Sequence, residues 1–120
     1  MKIYLSCTSN LGDFLNSLPV LSGIYNSYGK IDFAIKRDMR KFNGIKEFLM
    51  YQGIFNTVIF DDEPSEGQYL NLSSWTREDR GHPHRPIETC RYENWIKDNY
   101  KLDFNVDDSF ILKVEDIENY

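Results

Sequence analysis

The first 60 residues alternate between two hydrophobic periods, and this alternation restricts the possible folds more than any other feature of the chain. Short apolar segments at Lys2–Cys7, Lys30–Lys36 and Phe55–Phe60 have the length and composition of strands. Between them, apolar side chains recur every three or four residues over Phe14–Tyr28 and Arg40–Gln52, which is typical of helices that bury one face. The resulting β-α-β-α-β order predicts parallel strands joined by right-handed crossovers.

Glycine and proline mark where these helices should begin and end. Gly29 and Gly53 follow the two predicted helices, and glycine readily takes the left-handed conformation that ends a helix. Pro19 falls in the second turn of the first helix, where its missing N–H and its ring disfavour a continuous helix. We therefore expect a kink there, or a helix that starts a few residues later.

The second half of the chain is less regular. Gln68–Leu72 predicts a fourth strand, Glu88–Tyr100 a helix with aromatic side chains on its inner face, and Phe110–Val114 a last strand. A chain of 120 residues suits one domain. We therefore predict an α/β fold with a single domain over residues 1–120, built as a Rossmann-like, doubly wound parallel sheet with three layers (αβα).

Composition excludes several classes of function. Fourteen Lys and Arg against 19 Asp and Glu give a net charge of −5, which argues against a general nucleic-acid binder. No run of 18 apolar residues is present, and the N-terminus becomes polar too soon for a signal peptide, so neither a membrane span nor secretion is expected. Two cysteines far apart in the chain fit reduced thiols, and a cytoplasmic location is expected.

The segment Thr8–Asp13 follows the first predicted strand and leads into the first helix. In open parallel sheets, ligands bind beyond the carboxyl ends of the strands, so this segment is a candidate site. It contains neither a GxGxxG nor a GxxxxGK[ST] sequence, and no bound cofactor is predicted. Asp13 has two interpretations that spacing leaves open: an N-cap of the helix, or a carboxylate that takes a proton from a hydroxyl nucleophile.

Around Asp13 the chain resembles a known family. The segment Asn10–Leu21, with its Gly12-Asp13 and Leu18-Pro19 pairs, and the segment Tyr28–Phe33 resemble the start of the heptosyltransferase-like bacterial glycosyltransferases (family 9). His84–Glu88 resembles, more loosely, a helix start in the same family.

The resemblance implies a GT-B architecture, in which two Rossmann-like domains bind the acceptor and the nucleotide-sugar donor on opposite sides of a cleft. It implies that Asp13 is the general base of an inverting, metal-independent glycosyl transfer, with Asn10 and Gly12 beside the acceptor. The sequence ends roughly where the donor-binding half would begin. The expectation is thus an acceptor-binding half, inactive alone, with a donor-binding domain or a second copy as its partner.

Four arginines lie within 15 residues, and with His84 they form the second candidate site: Arg77, Arg80, Arg85 and Arg91. Guanidinium groups bind phosphate bidentately, so Arg77, Arg80, His84 and Arg85 are predicted to bind a sugar or sugar-phosphate acceptor. Alternatively, these arginines pair with Glu78, Asp79, Glu88 and Glu93. His82 and His84 lack the further ligands that a zinc site needs, so no metal is expected.

Two other functions remain open at this point. The domain could be a stand-alone binding module for a nucleotide, a sugar phosphate or a protein, without catalytic activity. It could also be an unrelated flavodoxin-like domain with a structural role.

Overall fold

The sheet of this protein has four strands, and all of them are parallel. The computed structural model describes residues 1–5, 11–62, 69–73 and 81–113. The strands are β1 (Lys2–Leu5), β2 (Ile31–Ile35), β3 (Phe55–Phe60) and β4 (Leu70–Leu72), in the spatial order β3-β2-β1-β4. This arrangement confirms the predicted α/β class and the parallel pairing.

In the described ranges, four α-helices and one 3₁₀ turn accompany the sheet. They are α1 (Leu11–Leu15), α2 (Leu18–Tyr28), the 3₁₀ turn Arg37–Lys41, α3 (Ile45–Tyr51) and α4 (Ile87–Tyr100). Within the described ranges, no helix is both long enough and apolar enough to cross a membrane.

The first predicted helix, Phe14–Tyr28, is divided in two, and α2 starts at Leu18. Pro19 lies in the first turn of α2, where a missing N–H does no harm. The hydroxyl of Ser17 donates to the carbonyl of Phe14 at 2.6 Å. This bond satisfies the Phe14 carbonyl where the chain passes from α1 to α2. The predicted later start is therefore confirmed, and α1 is an additional short helix.

The prediction of one helix over Arg40–Gln52 is wrong in its first half. The chain forms a 3₁₀ turn up to Lys41, and α3 begins only at Ile45. Gly44 has a φ of 79°, which a continuous right-handed helix cannot contain. The dipeptide Asn43-Gly44 is a turn signal in the sequence, and apolar spacing alone does not detect it.

The predicted last strand, Phe110–Val114, is also wrong over its described part, because Phe110–Lys113 does not join the sheet. Instead, the side-chain amide of Gln52 accepts from the N–H of Lys113 at 2.9 Å and donates to its carbonyl at 2.8 Å. Gln52 is buried and follows α3, so it holds this segment near the start of β3. Val114 lies outside the described residues.

One face of the sheet is entirely apolar. Alternation along the strands and the strand register place these buried side chains on it: Ile3, Leu5, Ile31, Phe33, Ile35, Phe55, Val58 and Leu72. Side chains from the 3₁₀ turn and the four helices join them in one hydrophobic cluster. Phe33 lies at its centre, stacked on Phe55 with ring centroids 4.8 Å apart and tilted against Phe14 at 6.5 Å.

The opposite face of the sheet carries both polar and apolar side chains. It carries Lys2, Tyr4, Asp32, Ala34, Thr57, Ile59 and Asn71, of which Tyr4 and Ala34 are buried. The carboxylate of Asp32 accepts from the side chains of Asn56 and Thr57 at 2.9 and 3.0 Å. These hydrogen bonds lower the pKa of Asp32 and keep an anion on this face.

Candidate functional site

The strand order reverses at β1, which has β2 on one side and β4 on the other. Leu5 and Leu72, the last residues of β1 and β4, are register partners. In open parallel sheets, ligands bind beyond the carboxyl ends of the strands at such a reversal. The edge of the sheet beyond Leu5 and Leu72, here called the switch edge, is therefore the candidate site.

Three of the predicted site residues, Asn10, Arg77 and Arg80, lie outside the described residues. They belong to segments 6–10 and 74–80, which follow β1 and β4 along the chain. The two strands themselves end side by side at the switch edge. The roles of these three residues stay predictions.

Asp13 is the third residue of α1, the helix that follows the switch edge. It is half-buried and stands between Gly12, which is exposed, and Phe14, which is fully buried in the core. Asp13 therefore lies inside the first helical turn and not at the N-cap, and a carboxylate at this position interacts favourably with the helix dipole. Its role as a general base stays a prediction.

Helix α4 fixes the position of α1. The hydroxyl of Tyr92 donates to the carbonyl of Asp13 at 3.2 Å, and the hydroxyl of Thr89 donates to the carbonyl of Asn16 at 2.8 Å. Both side chains are buried. They are positioning residues. The sequence predicted only aromatic side chains such as Tyr92 on the inner face of this helix and missed Thr89, because nothing in the spacing reveals a partner more than 70 residues away.

His84 and Arg85 lie in the turn that leads into α4. His84 is exposed, and its backbone N–H donates to Nδ1 of His82 at 3.2 Å. Since α4 starts two residues after Arg85 and bonds to α1 through Thr89 and Tyr92, this turn lies within roughly two helical turns of α1. The fold thus brings the second predicted site toward the first.

Arg85 is engaged by two carboxylates. Its Nε and Nη2 donate to Asp108 at 2.5 and 2.9 Å, and its Nη1 donates to Glu93 at 3.0 Å. The second oxygen of Glu93 accepts from Lys97 at 2.9 Å. Arg91 also approaches Glu88, at 3.8 Å. Arg85 and Arg91 therefore both pair with acidic residues, as the alternative interpretation predicted. A phosphate could bind the guanidinium of Arg85 through two hydrogen bonds only by displacing Asp108.

The ion pair of Arg85 and Asp108 joins the turn before α4 to the segment that follows this helix. The hydrogen bond from Arg85 lowers the pKa of Asp108, and the same bond raises the pKa of Arg85. The neighbouring Asp107 has a lowered pKa as well, mainly because the hydroxyl of Ser22 donates to it at 2.7 Å. Asp107 and Asp108 therefore stabilise the folded protein when their carboxylates are ionised.

Acid is expected to destabilise the protein partly through Asp108. Its folded-state pKa lies below the unfolded value, so its stabilisation is present above the unfolded pKa and is lost as the pH falls through the folded pKa. For Asp108→Asn we expect a free energy of unfolding at neutral pH lower by about 0.5 kcal/mol, since the pair is partly exposed. We also expect the free energy of unfolding, measured with urea, to decline less steeply as the pH falls below the ordinary aspartate pKa of about 4.

The matched control for this prediction is Asp38→Asn. Asp38 is an exposed residue of the 3₁₀ turn. This change removes the same charge, and the acid dependence should stay that of the wild type. Equal acid dependences for Asp108→Asn and the wild type would contradict the role assigned to the pair.

A cavity of about 310 Å³ lies at the end of the sheet opposite the switch edge, by the amino end of β3. Its lining includes Tyr25 from α2, Gln52 and Ile54 before β3, and Asp107 and Lys113 from the C-terminal segment. The size suits a small ligand. Among the described residues, no group of three His, Cys, Asp or Glu side chains is placed to hold a metal ion.

Comparison with protein-family models, with curated proteins and with solved structures found no match to this chain.

Proposed function

We propose that this chain is the acceptor-binding half of an inverting, metal-independent glycosyltransferase of GT-B type, with Asp13 as the general base. The observation that carries the proposal is the position of Asp13. It lies in the first turn of the helix that follows β1, beside the edge where the strand order reverses. The Gly12-Asp13 and Leu18-Pro19 pairs supply the resemblance to family 9, and Pro19 lies in the first turn of α2.

The proposed chemistry uses one carboxylate of this chain. The acceptor hydroxyl donates its proton to Asp13 while its oxygen attacks the anomeric carbon of the donor sugar, and the bond from that carbon to the nucleotide diphosphate breaks. The hydrogen bonds from Tyr92 and Thr89 hold α1, and with it Asp13, in a fixed position during this step. The donor sugar would be bound by a second domain or a partner protein.

The doubly wound, three-layer arrangement is part of this proposal. Support comes from the order β3-β2-β1-β4, which reverses direction as in doubly wound sheets. The burial of Tyr4 and Ala34 on the mixed face supports some cover on that side of the sheet. A cytoplasmic setting is proposed as well, and the buried free thiol of Cys90 is compatible with it.

The proposed acceptor is a sugar or sugar phosphate. Asn10 and Gly12 would contact it near Asp13, and Arg77, Arg80 and His84 would bind its phosphate. Arg85 joins this set only if the acceptor displaces Asp108. An Arg85→Ala variant would lose its ion pairs with Asp108 and Glu93, so it is a poor probe of binding alone.

The test is a titration of the ¹⁵N-labelled chain with sugar phosphates, nucleotide sugars and free nucleotides at millimolar concentration. For sugar phosphates we expect shifts of the amides of Gly12, Asp13 and Ser73, at the switch edge. Replacing Asp13 by asparagine removes a charge-assisted hydrogen bond to the acceptor hydroxyl. This change is expected to raise the Kd by about tenfold or more.

The control variant is Glu47→Gln, which removes a carboxylate from the first turn of α3. It should bind sugar phosphates with the wild-type Kd. Absence of sugar-phosphate binding, or an unchanged Kd in Asp13→Asn, would overturn the proposal.

A stand-alone binding module is the second candidate, and the cavity near β3 favours it. In that case the titration should perturb Tyr25, Gln52 and Lys113, leave Gly12 and Asp13 unchanged, and give the same Kd in Asp13→Asn. The same experiment therefore separates the two functions by where the shifts occur.

A further inference from the structure

The two outermost strands of the sheet, β3 and β4, differ in whether their outward backbone groups are hydrogen-bonded. Those of β4 are covered by α4. The N–H of Asn71, the middle residue of β4, donates to the hydroxyl of Tyr100 at 2.9 Å. The carbonyl of Asn71 accepts from Nε1 of Trp95 at 2.9 Å. Helix α4 therefore occupies the outward backbone groups of this strand, and no further strand can pair there.

The edge formed by β3 lacks such protection among the described residues. β3 is twice as long as β4, and its outward backbone groups have no hydrogen-bond partner in the described parts of the chain. The irregularity in its pairing with β2 is confined to the position of Asn56, which leaves Thr57–Phe60 regular. Natural edge strands are protected by charged side chains, proline or β-bulges. β3 has neither a charge nor a proline, and its irregularity lies only at its amino end.

The surroundings of this edge are uncharged and partly apolar. No charged residue occurs from Phe48 to Phe60, in a chain of which 28% is charged. Ile59 on β3 is 40% exposed, and Met50 and Tyr51 in the last turn of α3 are exposed as well. This edge therefore fits a protein strand of similar character better than a charged ligand.

We propose that the outer edge of β3 pairs with the β3 of a second copy of this chain, antiparallel about a two-fold axis that passes between the two Ile59 residues. The two sheets then form one continuous eight-stranded sheet. A two-fold axis relates identical strands only in the antiparallel sense, so the contact is closed and stops at a dimer. The proposal does not depend on the catalytic role of Asp13.

The lack of charge at this edge makes it the part of the described surface where a second copy meets little repulsion. Each copy carries a net charge of −5, so two copies associate best where neither presents an anion. In this register Asp61 lies opposite Thr57 of the other copy, and the two Asp61 residues are roughly 14 Å apart, beyond the Debye length at physiological salt. Arg40, stacked over Phe60 at 5.1 Å, adds a positive charge at the same end as Asp61.

The test is sedimentation equilibrium of the full chain over a wide concentration range, together with hydrogen exchange of β3. An edge contact of this size is weak, so we expect the mass to rise from 14.2 kDa toward twice that value only at high concentration. Exchange of the amides of Thr57–Phe60 should slow over the same range. Ile59→Lys places like charges near the axis and should weaken association by at least about tenfold.

The matched control is Ile111→Lys, the same change at a side chain that is 80% exposed and lies outside the sheet. It should associate as the wild type does. If Ile59→Lys does not fold, Thr57→Lys on the same face of β3 replaces it.

Three results would overturn the proposal. The first is a mass of 14.2 kDa at every concentration. The second is equal association of the wild type and Ile59→Lys. The third is protection of β3 that does not change with concentration, which would mean that another segment of the same chain occupies the edge.

Discussion

Gly23→Ala is expected to destabilise the protein by about 3 kcal/mol, although alanine normally stabilises a helix relative to glycine. A Cβ atom at Gly23 would stand 2.0 Å from the carbonyl oxygen of Asn105 and 3.1 Å from the Cα of Val106. These are backbone atoms, so no side-chain rotation relieves the overlap. The segment 105–107 would have to leave α2, and the hydrogen bond from the N–H of Asp107 to the carbonyl of Pro19 would be lost.

Urea unfolding of the wild type, Gly23→Ala and Gly12→Ala measures this effect. Gly12 also lies in a helix, but it is exposed, so alanine there should leave the free energy of unfolding unchanged or raise it by up to about 1 kcal/mol. A Gly23→Ala variant as stable as the wild type would contradict the close approach of this segment to α2.

Phe33→Ala is expected to lower the free energy of unfolding by about 4 kcal/mol. Phe33 is fully buried on an inner strand and contacts Phe55 and Phe14 with its ring. Alanine would leave a cavity between the sheet and α1. Since Phe14 is the neighbour of Asp13, we also expect the amides of α1 to exchange faster in this variant.

Phe33→Leu and Tyr51→Ala are the comparisons for this prediction. Leucine keeps most of the buried volume and should lose less than about 1.5 kcal/mol. Tyr51 is 48% exposed at the end of α3, and its replacement at low protein concentration should change the free energy by about 0.5 kcal/mol or less. Equal losses for Phe33→Ala and Tyr51→Ala would contradict the central position of Phe33.

The sequence pattern predicted correctly the elements whose bounds depend on neighbouring residues in the chain. β3 has the predicted bounds because a run of β-branched and aromatic residues lies between Gly53 and two aspartates. Gly29 and Gly53 both have positive φ, 86° and 79°, which glycine adopts without strain. Gly29, however, has a ψ of −168° and is therefore not in the predicted left-handed helical conformation. The strand order β3-β2-β1-β4 was not predicted, since it depends on contacts between distant segments.

Where prediction failed, a contact distant in sequence or a competing local signal decided the structure. Phe110–Lys113 has the composition of a strand, but Gln52, 61 residues before Lys113, binds its backbone. The same limit applies to the candidate site. The sequence placed Asp13 at the start of a helix, but it gave no sign that Asp108 would occupy the guanidinium of Arg85 from 23 residues away.

The pairing of Gln52 with Lys113 also limits how a second domain could be connected. It fixes Lys113 near the amino end of β3, whereas Asp13 lies in the helix that follows β1 in the chain. A six-residue strand is roughly 20 Å long. A donor-binding domain joined through the residues after Lys113 would therefore need a linker of about six extended residues to face Asp13. A partner supplied as a separate chain would approach the switch edge without that restriction.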